Sequence, residues 1–246
     1  MKANWKIALM CLATFAVVGC NQKNPPVVDD DDDNLFGYTA PIKVDDKSVA
    51  DWDKLDQTKI SEAVVPDTPL WPALKKARVY ADSVCIFFTL EFDPAKMVSH
   101  TDKDVLHIYI NADNSDKTGG FWDLFAPERK GDVDFMFETH IWDANGVVQF
   151  ATNYEYWAGP LNGEGWTWTP DASVSPKVSS MQFVGDNIIE GRLVVELIPF
   201  KFNATAFTIG FDIQQNWNSV GLLPQANTPD GELIGRAEKM LVTFDK

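Results

Sequence analysis

The sequence predicts an all-β protein, a sandwich of antiparallel strands, and three observations carry that reading. Short runs alternate apolar and polar residues with the two-residue period of a half-buried strand. Turn signals rich in Gly, Pro, Asn and Asp recur between those runs. Finally, no stretch keeps a long 3.6-residue apolar period, and no internal repeat is visible.

The chain opens on MKANWKIALMCLATFAVVGC, which reads as a signal peptide over residues 1–19. Lys2 and Lys6 give it a positive start, and Ile7 to Val18 is apolar but too short to span a bilayer. Val17-Val18-Gly19-Cys20 resembles a bacterial lipobox, with Val17 where leucine is common. That resemblance implies cleavage before Cys20 and attachment of lipid to its thiol. Residues 20–40 follow as an acidic flexible tether, NQKNPPVVDDDDDN at its core, because clustered like charges repel and bury nothing. Acids placed soon after such a cysteine resemble the export signals of surface lipoproteins in Bacteroidetes. They imply display on the outer membrane, with an outer-membrane protein as a candidate partner.

Charge and cysteine content narrow the function classes. The formal charge is −15, and removal of Lys2 and Lys6 makes it more acidic still. Such a chain is a poor ligand for nucleic acid, whose phosphates demand the opposite sign. Of three cysteines, Cys11 leaves with the signal and Cys20 carries lipid, so Cys85 has no partner and reads as an inert core thiol. Stability then rests on the core of one domain, residues 41–246.

Within that domain, PIKVDDKSVADWDKL predicts a strand and a turn leading to Asp51-Trp52. ALKKARVYADSVCIFFTLEFD predicts a hairpin turning at Asp82-Ser83, with Val84, Ile86, Phe88, Leu90 and Phe92 on one face. In VLHIYIN, His107, Tyr109 and Asn111 alternate with Leu106, Ile108 and Ile110. After a central hairpin, GPLNGEGWTWTPDASVSP reads as loop, and SSMQFVGDNIIEGRLVVELIPF as a hairpin turned at Gly185-Asp186-Asn187. AFTIGFDIQQNW is a strictly alternating strand, and RAEKMLVTFD closes the sheet.

The central hairpin is the most legible piece. Asn145-Gly146 predicts a two-residue type I′ turn, because both positions tolerate positive φ. That centre pairs Trp142 with Gln149, His140 with Ala151, Glu138 with Asn153, Met136 with Glu155 and Asp134 with Trp157. Val133, Phe135, Phe137, Thr139 and Ile141 then form a core face, beside Val148, Phe150, Thr152, Tyr154 and Tyr156. The other face carries Asp134, Glu138, His140, Trp142, Gln149, Asn153, Glu155 and Trp157. Acids and amides between indoles on a rigid sheet suit a polyhydroxylated ligand, an oligo- or polysaccharide. The bland alternative is a solvated outer face.

Several landmarks resemble the family-nine carbohydrate-binding modules and their DOMON-like relatives. IKVDDKSVADW is similar to their opening motif, with Asp46-Lys47 where Asp-Gly is usual. LHIYINADNSDKTGG followed by GDVDFMFE resembles their strand, aspartate loop and acidic strand, and GRLVVELIP their E-x-x-I-P strand end. The resemblance spans Ile42 to Phe244 and implies a jelly-roll-like sandwich that binds sugar ends between aromatic rings. It also implies calcium, with Asp113, Asn114, Asp116 and Asp132 as candidate ligands, since hard cations need converging oxygens. The spacing is not an EF-hand, and a turn whose aspartates bond their own backbone is the alternative. DOMON-like domains also hold haem, but no axial methionine–histidine pair is placed here, so no organic cofactor is expected.

For the sugar site, the loop-borne Trp122, Trp157, Trp166, Trp168 and Trp217 are the candidate walls, with Trp142 from the hairpin. Glu138, Gln149 and Asn153 supply hydrogen bonds, joined by Asp212 and Gln214 from another strand. A glycosidase would need two carboxylates about 5–10 Å apart, and Glu138 or Asp134 with Glu155 are the pairs on offer. Nothing marks one of them as a protonated acid. There is no G-x-S-x-G, H-E-x-x-H or phosphate loop, and His100, His107 and His140 lack metal-ligand spacing. The expected function is therefore a non-catalytic glycan-binding lipoprotein, with a glycosidase or a protein-docking lipoprotein as the alternatives.

Overall fold

Thirteen strands form among the residues that the computed structural model describes: 34–35, 38–97, 104–115, 133–143, 145–156, 179–198, 202–225 and 240–246. β1 (Asn34–Leu35) and β2 (Tyr38–Thr39) make a small hairpin of their own. The remainder are β3 (Ser61–Val64), β4 (Leu74–Asp82), β5 (Cys85–Phe92), β6 (Val105–Asn111), β7 (Phe135–Trp142), β8 (Val148–Tyr156), β9 (Ser179–Val184), β10 (Ile188–Val194), β11 (Ala206–Gln215), β12 (Asn218–Leu223) and β13 (Met240–Asp245). They join as one sheet in the order β8-β7-β6-β11-β13-β4-β5-β10-β9, with β12 also on β11 and β3 also on β4.

The sheet doubles over at β13. That strand pairs antiparallel with β11 from Thr243 back to Met240, then parallel with β4 at Phe244 and Asp245. One layer is therefore β8-β7-β6-β11-β12 and the other β9-β10-β5-β4-β3, the sandwich that the alternation predicts. Phe137, Ile108 and Phe211 from the first layer bury against Val79, Phe88 and Leu90 of the second, all fully covered. Phe88 and Phe211 touch across the interface with ring centroids 5.6 Å apart. Each such side chain contributes about 1.5–3 kcal/mol of burial. Gly191 makes room for this packing, since a Cβ there would stand 2.2 Å from the Phe88 ring.

Cys85 is buried and free, and burial pushes its thiol up to about 12, so it stays protonated. This agrees with an inert core position.

Several expectations need correction. The segment from Pro41 is not a strand. Ile42, Val44 and Trp52 are buried, but the backbone turns at Asp46-Lys47 and enters a 3-10 helix at Ala50–Lys54. Lys47 takes φ 57°, a left-handed conformation that favours glycine. Tyr38 donates its hydroxyl to Asp82 at the end of β4. β3 and β12 were not legible, being four and six residues long with weak alternation.

The central hairpin keeps its predicted register from Phe135–Tyr156 through His140–Ala151. Beyond that, Trp142 pairs with Val148 rather than Gln149. β8 carries one extra residue there, with Phe150 at φ 42°. The turn is also longer than two residues. The Asp143 carbonyl accepts from Gly146 N–H at 2.9 Å, and its carboxylate accepts from the N–H groups of Asn145 and Val147. Gly146 takes φ 75° and Asn145 does not take a positive φ. Satisfying two loop donors with one aspartate favours this wider loop over the type I′ turn.

Candidate ligand site

The face of β6, β7 and β11 that turns away from the core is polar, as the alternation requires. Register places Glu138, His107, Asp212 and Leu222 side by side across four strands. The neighbouring row holds His140, Val105, Gln214 and Ser219. Across β6, β7 and β11 this face is not the solvated ladder that was the alternative. His107, Tyr109, Asp212 and Gln214 are buried, while Glu138 (side chain 14 % exposed) and His140 (29 %) reach the surface.

Burial makes their hydrogen bonds matter, because an unpaired polar group there costs about 1–3 kcal/mol. His107 Nε2 lies 2.9 Å from Glu138 Oε2, and its Nδ1 lies 3.2 Å from the Tyr109 hydroxyl and 3.9 Å from Asp212 Oδ2. Asp212 Oδ2 accepts from Gln214 Nε2 at 2.7 Å and from Ser219 Oγ at 3.1 Å, while Oδ1 has no hydrogen-bond partner. Burial alone would lower the His107 pKa, but Asp212 and Glu138 outweigh it and raise it. Glu138 is pushed up by burial yet pulled lower overall by His107, so it is held as a carboxylate. His140 Nε2 stands 3.6 Å from its other oxygen.

Trp217 meets the His140 end of this row. β11 and β12 pair through Gln215–Asn218, which leaves Asn216 and Trp217 as the two central residues of the turn. Both have positive φ, 49° and 64°, the type I′ pattern that favours Asn-Gly. A bulky residue at that second position is a genuine outlier. Surrounding bonds hold it there: Asn216 N–H donates to Asp104 Oδ1 at 3.3 Å, and Asn218 Nδ2 donates to the Asn216 carbonyl at 2.9 Å. The indole is 49 % exposed and stands edge-on to His140.

At the far end of the same face lie oxygens without donors. Asn111 pairs with Thr208 across the β6–β11 ladder, and Asp134 N–H donates to the Ile110 carbonyl beside them. Asn111 Oδ1, Asp134 Oδ1 and Thr208 Oγ1 are buried and have no hydrogen-bond partner. Asp134 Oδ2 accepts from the N–H groups of Ala112 and Asp113 at 2.9 and 3.3 Å. Burial, then the neighbouring Asp113, raises the Asp134 pKa to about 6. Asp113 Oδ1 accepts from Ser115 N–H, and Asn114 takes φ 56°, so the loop also has the backbone-bonded turn character that was the alternative to a metal. Among the described residues no group of three His, Cys, Asp or Glu side chains converges as a metal set. An oxygen set here would draw instead on amide and hydroxyl groups, which calcium accepts.

Of the expected ligand residues, the structure brings Glu138, Asp212 and Gln214 to one face, the last two buried, with Trp217 against His140 of the same face. Asn153 occupies the β8 position opposite Glu138. Gln149 is exposed, and its amide reaches Asp143 of the turn at 3.5 Å instead of the Glu138 row. Trp142 is not a wall of this site. It is only 7 % exposed and stacks on Phe183 of β9 at 5.8 Å. Trp122, Trp157, Trp166, Trp168, Asp116, Asp132 and Cys20 lie outside the described residues. His107, Tyr109 and His140 join the first polar cluster and Asp134 the second, and none of the four is among the expected sugar or metal ligands. Alternation in VLHIYIN puts His107 and Tyr109 on the polar face, and the register sets His107 beside Glu138.

No protein-family model matches the chain, and no curated protein matches it. Solved structures do. The chain is similar in fold to family-nine carbohydrate-binding modules. One, from Caldicellulosiruptor kristjanssonii in complex with cellotriose, matches at 11 % identity and a TM-score of 0.37, covering 83 % of this chain and 88 % of that one. A family-nine module from the same organism, in complex with glucose, matches at 8 % identity and a TM-score of 0.31, covering 76 % of each chain. A candidate carbohydrate-binding protein from Bacteroides uniformis matches at 8 % identity and a TM-score of 0.39, covering 79 % of this chain and 88 % of that one.

Proposed function

We propose that this protein is a non-catalytic glycan-binding lipoprotein whose ligand lies against Trp217, His140 and Glu138. The observation that carries the reading is the backbone of Trp217. A large indole held at φ 64° in a turn that prefers glycine is a local cost of about 1–2 kcal/mol. Such strain points to function when the side chain it displays is exposed beside a pre-oriented polar group. A flat apolar ring against His140, which itself neighbours an ionised carboxylate, matches the apolar face and hydroxyl edge of a pyranose. The solved family-nine complexes bind cellotriose and glucose, which makes β-glucans the first ligands to try.

A glycosidase fits these residues less well. Glu138 is held ionised by His107, the wrong state for a general acid. Asp134 has the raised pKa of an acid, but it is fully buried and bonded to two backbone N–H groups.

The same reading includes calcium near Asp113, Asn111 and Asp134, supported by the donorless oxygens there. The ion would screen two neighbouring carboxyl groups and tie β6, β7 and β11 together. It also includes lipid at Cys20 and display at the outer-membrane surface, supported by the lipobox-like sequence and the acidic run after it. A glycan array with the wild-type chain and Trp217→Gly tests the binding claim. Equal signals from both proteins on every glycan would remove the site. Metabolic labelling with a fatty acid, with Cys20→Ala as control, tests the anchor, and protease shaving of intact cells tests surface display.

A further inference from the structure

The layer that does not carry Trp217 has a polar surface of its own. β4, β5 and β10 align Arg78, Thr89 and Glu190 in one row, and Lys76, Glu91 and Ile188 in the next. A hollow of about 200 Å³ lies over these rows, lined by Lys76, Arg78, Thr89, Glu91 and Ile188.

Arg78 is held in place at this hollow. Its guanidinium carbon sits 5.0 Å from the centroid of the Trp52 ring, and its Nε donates to Thr89 Oγ1 at 3.3 Å. Trp52 is itself wholly buried and donates from Nε1 to Glu190 Oε1 at 2.7 Å. The other Glu190 oxygen accepts from Gln182 Nε2 at 2.9 Å. Glu190 is thereby committed elsewhere, and among the described residues Arg78 forms no ion pair. Lys76 pairs with Glu62 at 2.7 Å on the exposed rim.

A guanidinium stacked on one face and engaged at Nε still offers its Nη edge, which matches a carboxylate through two parallel bonds. In a chain of net charge −15, a fixed cation with no ion pair among the described residues is a place for an anion from outside. The lining adds a second cation, Lys76, one carboxylate, Glu91, and one hydroxyl, Thr89. Glu91 accepts from ligand hydroxyls, and Thr89, whose oxygen already accepts from Arg78, has its own proton to donate. The hollow is smaller than the roughly 300 Å³ at which ordinary ligand clefts begin, so it takes one ring and not a chain.

We propose that this hollow binds a single hydroxylated carboxylate of the sugar-acid class, its carboxylate on Arg78 and Lys76 and its hydroxyls on Glu91 and Thr89. The site shares no residue with the Trp217 site and does not depend on that reading.

Calorimetric titration of the full chain with glucuronate, glucose and acetate tests it. Glucuronate should bind at least about tenfold more tightly than either of the others, since glucose lacks the charge and acetate the hydroxyls. Arg78→Lys keeps a cation over Trp52 but loses the fork, and should weaken glucuronate about tenfold. Lys76→Gln, at the rim and away from Trp52, should weaken it severalfold with an unchanged melting temperature. Trp217→Gly should bind glucuronate like the wild type. Equal affinity for glucuronate and glucose, or for glucuronate and acetate, would overturn the proposal. So would wild-type binding by both Arg78→Lys and Lys76→Gln, or loss of binding in Trp217→Gly.

Discussion

The Trp217 indole stands edge-on to the His140 imidazole, with ring centroids 6.0 Å apart and an interplanar angle of 89°. One ring comes from a strained turn and the other from the strand that carries Glu138. Their contact joins the exposed aromatic surface to the buried polar row.

Replacing Trp217 separates stability from binding. Trp217→Gly relieves the left-handed backbone and should stabilise the fold by about 1 kcal/mol, a rise of about 2–4 °C in Tm for a domain of this size. Affinity for any glycan captured by the wild type should fall more than tenfold. A lower Tm with affinity retained would show the indole to be a packing element.

The His107 row gives stability a pH dependence of known sign. His107 has a raised folded pKa, so its contribution is complete below the unfolded value of about 6.5 and is lost as pH rises through the folded value. Glu138 works in the opposite sense. Its pKa is lowered, so its contribution is present above an unfolded value of about 4.3 and is lost as pH falls through the folded value. Thermal melts of wild type and His107→Gln from pH 6.5 upward should converge with rising pH. Parallel curves would mean that the imidazole carries no linked proton.

Asp134 should make calcium sensitivity pH-dependent. Its pKa of about 6 means that ionisation costs stability in the folded protein, a cost that grows between the unfolded value of about 3.9 and 6. Calcium should raise Tm at pH 7 and do little at pH 5, where the carboxyl is protonated. Asp134→Asn should abolish the calcium response while raising Tm in chelator. A melt that ignores both calcium and chelator at pH 7 would remove the ion.

The bond from Trp52 to Glu190 is a structural prediction. Trp52→Phe keeps much of the buried ring but leaves a buried carboxylate oxygen without its donor, at a cost of about 1–3 kcal/mol in urea unfolding. Adding Glu190→Gln should recover part of that loss, because it removes the buried charge.

The strands were legible wherever one face is buried, because register and burial enforce the same two-residue period. The hairpin from Phe135 to His140 is the clearest case, and its partner on β8 follows to Tyr156. Legibility failed where a side chain competes for the backbone. Asp143 satisfies two loop N–H groups and replaces the expected turn, and past the bulge at Phe150 Trp142 stacks on Phe183. The candidate site was half visible for a related reason. Glu138 and Asp212 show their facing by alternation, but His107 becomes their partner only through the ladder between β6, β7 and β11.

Composition and period, which are properties of neighbouring residues, determined an acidic chain of alternating strands able to bury one apolar face against another. Only the tertiary structure decided which of the described polar residues are buried and how Trp217 and Arg78 are presented. Those outcomes depend on contacts between strands far apart in the chain: His107 with Asp212, Trp217 with His140, Arg78 with Trp52. The physical reason is that desolvation and pairing energies belong to the assembled neighbourhood of a group, and a local pattern carries no record of what folds over it.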